Sequence, residues 1–388
     1  MRAVAPDPPP YGDLMPALTG VRLPLALWVV IHHLSGPGRM FASLGTASAT
    51  AFALIDAAWV ALSVFFAISG FVLARRYHAT SWDRPALARY AVARFGRVYP
   101  VYLFSLLILV PIIGAEVRGG SLGSPAEQTG LLLNHLLLLQ GWQRPGVDWN
   151  TPAWSLSCEV FFYALFPLVV VLVRRATWPR LAAAACVAFG LPMALRLLLE
   201  PPIAKPLLYF GDFLIGLTVG MLYECLRASR VRLARLGPWL SGPALAGGLL
   251  LLLFRESLGS FLAFDAGVRL TSAMLVFGLA CGGGLFWRCL SSPLMVGGGQ
   301  AAYAIYILHV PVLWWYERSH LHSVLPPVTA GVVYLAVVVA LSLVVSRHVE
   351  EPANAIIRRW FALRRTLRTP AGPVAAGALP LSRSLREG

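Results

Sequence analysis

Apolar stretches of bilayer length follow one another along almost the whole chain, near residues 21–37, 50–74, 99–117, 154–173, 181–199, 207–226, 237–254, 268–287, 296–316 and 324–345. A hydrocarbon core of roughly 30 Å is crossed by about twenty apolar residues in a helix, so each stretch reads as a transmembrane span. Backbone groups in lipid must satisfy one another, which leaves helices or a closed barrel, and continuous apolar runs without period-two alternation select helices. The expected fold class is all-α: a polytopic integral membrane protein with about ten transmembrane helices. With 58% hydrophobic and 13% charged residues, the chain has too little polar surface to coat a soluble globule of 388 residues.

Charge orients the spans. Arginines crowd the connections after even-numbered stretches: Arg75, Arg76, Arg84, Arg89, Arg94 and Arg97, then Arg174, Arg175 and Arg180, then Arg227, Arg230, Arg232 and Arg235. They return after the tenth stretch as Arg347, Arg358, Arg359, Arg364, Arg365 and Arg368. Cytoplasmic loops retain positive charge, so both termini are expected in the cytoplasm. The net charge of +15 is thus divided among short loops, unlike the continuous basic stripe of a nucleic-acid binder. Leu131 to Gln140 is apolar but too short to cross, and reads as an interfacial or re-entrant piece. Five scattered cysteines offer neither metal-ligand spacing nor a disulfide framework, so no metal is expected. The expected organisation is a Pro-rich cytoplasmic segment at 1–17, a transmembrane domain at 18–352 and a basic, partly disordered cytoplasmic tail at 353–388.

Ionisable residues inside spans are costly and mark interiors or wet cavities. Arg22 and His33 are eleven residues apart, three helical turns, which puts both on one face roughly 16 Å apart along the axis. His32 points about a quarter-turn away and is the weaker candidate. A histidine takes a hydroxyl proton near neutral pH, and an arginine holds an anion or polarises a carbonyl without losing its own proton. Glu159, about one turn inside the fourth span, is a buried arginine partner or a site residue. Asp212 in YFGDFLIG has a structural reading as a buried hydrogen-bonding group. Tyr303, Tyr306 and His309 recur at a spacing of three, as packing or as a site, before Pro311. Arg94 and Arg97, in RFGRVYP immediately before the third span, suit phosphate contacts or ordinary topology.

Taken in order, LTGVRLPLALWVVIHHL, SVFFAISGFVLA, RFGRVYPVYL, WSLSCEVFFYALFP, YFGDFLIG, AAYAIYILHVPVL and the closing HVEEP resemble the successive signatures of the acyltransferase-3 family. The resemblance implies a bacterial inner-membrane O-acyltransferase that moves an acyl group, commonly acetyl, from acyl-coenzyme A to a hydroxyl. The acceptor it implies is a sugar of a cell-surface glycan, a glycolipid or a macrolide or other natural-product sugar. The family's Arg-x10-His motif falls on Arg22 and His33, and its Arg-x-x-Arg segment on Arg94 and Arg97. Ala302 stands where the family usually has serine, and Val160 where a second acidic residue is frequent, which touches acceptor binding rather than reaction class. No fused esterase-like domain is expected.

The catalytic set expected on this reading is His33 as general base, Arg22 and Glu159. Arg94, Arg97, Arg75 and Arg76 are expected to hold the coenzyme A phosphates, and Tyr303, Tyr306, His309 and Trp154 to contact the acceptor. The rival reading is a transporter or exporter in which Arg22, His33, Glu159 and Asp212 form one proton or solute pathway.

Overall fold

The computed structural model describes residues 15–36, 39–43, 48–143, 148–175, 177–228, 233–319 and 324–368. Arg230, Arg232 and the tail beyond Arg368 lie outside them, as does most of the Pro-rich N-terminal segment. No strand occurs among the described residues. Eight of their helices are long and apolar enough to cross a membrane, and ten spans result when each of two bent pairs counts as one. The chain is therefore the all-α, polytopic protein that its apolar stretches predict.

The elements run α1 (Pro16–Leu34), α2 (Thr50–Tyr77), α3 (Arg84–Arg118), α4 (Pro125–Leu136), α5 (Thr151–Val173), α6 (Trp178–Leu198), α7 (Lys205–Ala228) and α8 (Leu233–Leu253). A bent pair follows, α9 (Asp265–Cys281) and α10 (Gly284–Leu290), then a second, α11 (Pro293–Gln300) and α12 (Ala302–Arg318), with bends of 82° and 57°. The chain ends with α13 (Pro327–Val345) and, beyond one π-helical turn, α14 (Glu351–Arg368). Consecutive glycines set the sharper bend: Gly282, Gly283 and Gly284 take φ of 85°, 89° and 81°, where a side chain is strained.

Helices α2 and α7 form the centre, with 72% and 67% of their most apolar windows buried against 22% for α6 and α8. Lipid supplies no hydrophobic drive between helices, so close backbone approach through small residues is what joins them. A Cβ on Gly70 would strike the carbonyl of Phe213, and one on Gly216 the carbonyl of Ala67. Gly216→Leu is accordingly expected to destabilise the protein by about 1–3 kcal/mol or more, read as a lower Tm in detergent. An unchanged Tm would mean that α2 and α7 are not in direct contact.

Arg94 and Arg97 do not precede the third span but lie inside α3, because Asp83 caps the helix by accepting from the Ala86 N–H at 2.7 Å and Pro85 follows in its first turn. The 353–388 stretch starts as helix, since α14 runs from Glu351 to Arg368. The short apolar piece forms α4, whose Ser124–Glu127 capping box fixes its start. Ser124's backbone and side-chain donors hold the exposed Glu127 carboxyl below the usual carboxylate range. At its other end Tyr102 and Tyr99 donate to the carbonyls of His135 and Leu136, and Leu138 turns the chain with φ of 56°.

Candidate active site

A chamber of about 180 Å³ opens among α1, α2, α3, α5 and α12. Its polar lining is Arg22, Arg94, Arg97, Glu159, Tyr163, Tyr303 and Tyr306, with Ser69 and Ser155; Phe65, Phe66 and Leu62 give it an apolar wall. Five separate segments of the sequence thus converge on three guanidiniums and a carboxyl group.

The pairing within the chamber is uneven. Arg97 forms an ion pair with the buried Glu350 and lies over the Tyr303 ring at 5.2 Å. Arg94 has aromatic faces instead, Tyr90 at 5.9 Å and Tyr163 at 5.7 Å, and its Nε is buried without a hydrogen-bond partner. Among the described residues, neither Arg22 nor Arg94 has a carboxylate within ion-pair reach. Glu159 accepts from the Tyr163 hydroxyl at 2.9 Å, four residues on along α5. Two cations therefore face the chamber against one carboxyl group, in a setting where an uncompensated charge is expensive.

Arg22 lines this chamber, and His33, three turns further along α1, does not. Half-buried, His33 contacts His309 of α12, Nδ1 to Nε2 at 3.4 Å with ring centroids 4.9 Å apart. Tyr306 joins the two regions: its ring lines the chamber, lies 6.2 Å from Phe65 and 6.1 Å from His309. Phe65 and Tyr306 both border the chamber.

Hydrogen bonding fixes the proton positions on both imidazoles, because a carbonyl only accepts. His33 Nδ1–H donates to the Val29 carbonyl at 2.9 Å, and His309 Nδ1–H to the Tyr306 carbonyl at 2.7 Å. The neutral His33 ring thus carries its lone pair on Nε2, which has no partner among the described residues. His32 Nδ1 is spent on the Ile55 carbonyl at 3.1 Å.

Other expected site residues lie elsewhere. Arg75 is ion-paired to Glu224 at 2.8 Å and Arg76 lies over Tyr77, so neither joins Arg94 and Arg97 in the chamber. Trp154 packs under Lys205 Nζ at 4.0 Å and beside Tyr209. Tyr303 and Tyr306 present rings to the chamber, while their hydroxyls donate to the carbonyls of Val98 and Pro152. Asp212 is in a separate buried network: Arg269 of α9 reaches it at 3.3 Å and also donates to the Asp265 carbonyl, and Arg196 of α6 pairs with the Asp265 side chain at 2.9 Å. Of the four residues Arg22, His33, Glu159 and Asp212, only Arg22 and Glu159 line the chamber.

Sequence reading missed Tyr163, Ser69, Ser155 and Glu350 as neighbours of the arginines. Tyr163 was within reach of it, since an i,i+4 pair on a helix places a hydroxyl beside Glu159. Glu350 was not, because its partner Arg97 lies on a helix far away in sequence.

Among the described residues, no group of His, Cys, Asp and Glu is placed to hold a metal ion. No solved structure matches the chain. Residues 15–347 match a family described as an acyltransferase domain. The acyltransferase MdmB of Streptomyces mycarofaciens is 30% identical over 97% of this chain and 100% of its own length. The matched span contains Arg22, His33, Arg94, Arg97 and Glu159, and it places this chain in the acyltransferase-3 family of acyl-transferring enzymes.

Proposed function

We propose that the enzyme is a multi-pass inner-membrane O-acyltransferase that moves an acyl group, acetyl in the simplest case, from acyl-coenzyme A to a hydroxyl of a sugar-bearing acceptor. The acceptor class is a cell-surface glycan, a glycolipid or a macrolide or other natural-product sugar. The observation that carries the reading is the pair of guanidiniums, Arg22 and Arg94, facing one chamber without carboxylate partners among the described residues. An anionic ligand completes that charge balance, and the phosphates of coenzyme A match guanidinium donors.

The spacing divides the labour. Arg22 and His33 are roughly 16 Å apart along α1, beyond the span of one arginine side chain, so both cannot act on the same carbonyl. Arg22, Arg94 and Arg97 anchor the donor, and its flexible pantetheine arm extends from the chamber toward His33. There the acceptor oxygen attacks the thioester carbonyl while His33 Nε2 takes the hydroxyl proton. The C–O bond forms, the C–S bond breaks, and the proton passes from the imidazole to the departing thiolate. Arg75 and Arg76, held by Glu224 and Tyr77, have no part in donor binding.

Charge-assisted hydrogen bonds contribute about 1.5–3 kcal/mol each, so Arg94→Ala is expected to weaken acyl-coenzyme A binding by about 10- to 100-fold. Binding of radiolabelled acetyl-coenzyme A to protein in lipid nanodiscs reads this directly. Undiminished affinity in both Arg94→Ala and Arg22→Ala would remove the donor from the chamber.

A further inference from the structure

A second cavity, of about 320 Å³, lies at the C-terminal end of α3, away from Arg94 and Arg97. It is formed by the C-terminal turns of α3, the turn at Ser121 and Leu122, Asp148 and Trp149 ahead of α5, and Trp314 of α12. Leu109, Ile112 and Leu122 give it an apolar floor, two indoles form its walls, and the carboxylates of Glu116 and Asp148 stand at it.

Both indoles are held rigidly from behind. His135 stacks on Trp149 with centroids 4.5 Å apart, and its Nε2 also lies 3.2 Å from the Trp149 backbone N–H. Arg318 lies over Trp314 at 4.7 Å and pairs with Glu116 at 2.9 Å. The remaining feature is the indole N–H of Trp149, a residue only 7% exposed: it is buried without a hydrogen-bond partner. Such donors are nearly always satisfied in a native protein, and the residue that carries this one lines a cavity.

We propose that this cavity binds a pyranoside ring of the acceptor. A sugar ring has apolar C–H faces suited to fixed indoles and a rim of hydroxyls that both accept and donate. The two indoles match the C–H faces, and the Glu116 and Asp148 carboxylates accept from hydroxyls on the rim. The volume is near the lower end of small-molecule sites, roughly 300 Å³, which fits one ring rather than a polysaccharide segment. Trp314 is five residues beyond His309 on α12, about 7.5 Å further along the axis and turned by about 140°. A sugar held there leaves a second part of the same acceptor free to reach around α12 toward His33, so the cavity acts as a recognition site apart from the reacting hydroxyl. Naming the ligand an acceptor rests on the proposed acyl transfer; binding of the sugar does not.

The test is equilibrium dialysis of radiolabelled phenyl β-D-glucopyranoside against the full-length protein in lipid nanodiscs, with benzyl alcohol as the sugar-free competitor. Saturable binding is expected in the wild type. At least a tenfold loss is expected in Trp314→Ala, which removes a wall, and in Leu122→Trp, which fills the cavity, with Tm recorded for both. Arg22→Ala is expected to bind the glucoside as the wild type does. Absence of saturable binding, wild-type affinity in both cavity variants, or full displacement by equimolar benzyl alcohol each overturns the proposal. Intact glucoside binding in a protein that transfers no acyl group would instead overturn the enzymatic reading alone.

Discussion

His33→Ala is expected to lower acyl transfer by about 10²- to 10⁴-fold, the usual contribution of a positioned general base, while leaving the Tm of the purified protein close to the wild-type value. The small stability effect follows from the local geometry. His33 is half-buried and its ring is held by the Val29 carbonyl one turn back on its own helix and by His309. Removing it breaks no ion pair. The large kinetic effect follows from the tautomer, since Nδ1–H is committed to a carbonyl and Nε2 is left as an unengaged lone pair. His32→Ala, whose Nδ1 is tied to Ile55 on the neighbouring helix, is expected to change turnover far less. Assay of both variants in membranes at matched expression separates the two imidazoles, and equal activity of His33→Ala and wild type would take the base role from His33.

Asp212→Ala has the largest expected effect on stability. Arg269 is 2% exposed and Asp212 3% exposed, and they meet in the interior between α7 and α9. Removing the carboxylate strands a guanidinium in a low-dielectric interior, at a cost of about 3–5 kcal/mol. The Asp265 carbonyl and the Arg196–Asp265 pair keep Arg269 from swinging out to water. Replacing the pair together, Asp212→Leu with Arg269→Met, is expected to recover much of the loss, because apolar residues of similar volume often match or exceed a buried pair. Thermal unfolding in detergent reads both effects. An active double variant would also exclude Asp212 from any proton or solute route, whereas a stable but inactive one would restore it to function.

Much of the architecture was legible because lipid imposes a simple rule: runs of about twenty apolar residues become helices. The limits of the reading are just as physical. Sequence placed Arg94 and Arg97 just before the third apolar stretch, and the Asp83 cap and Pro85 make that stretch and both arginines one continuous helix whose arginines line the chamber. Helical periodicity put Arg22 and His33 on one face, yet it contains nothing about neighbours, and the chamber that Arg22 lines without His33 is completed by α2, α3, α5 and α12. Pairing is the least legible property of all. Arg75 and Arg94 look alike in an arginine-rich stretch, but Glu224 pairs with one, while the other lies against the rings of Tyr90 and Tyr163 with no carboxylate in ion-pair reach among the described residues. Identity of the arginines that remain available to a ligand comes from tertiary contacts alone.

The central claim is that anchoring guanidiniums and a distant imidazole serve one acyl transfer. The direct measurement is the passage of label from [acetyl-14C]coenzyme A into glycans, lipids and organic-soluble metabolites in membranes carrying wild type, Arg22→Ala or His33→Ala. One labelled product in the wild type, lost in both variants, with donor binding weakened only in Arg22→Ala, is the expected result. A product formed equally by all three proteins would contradict the account.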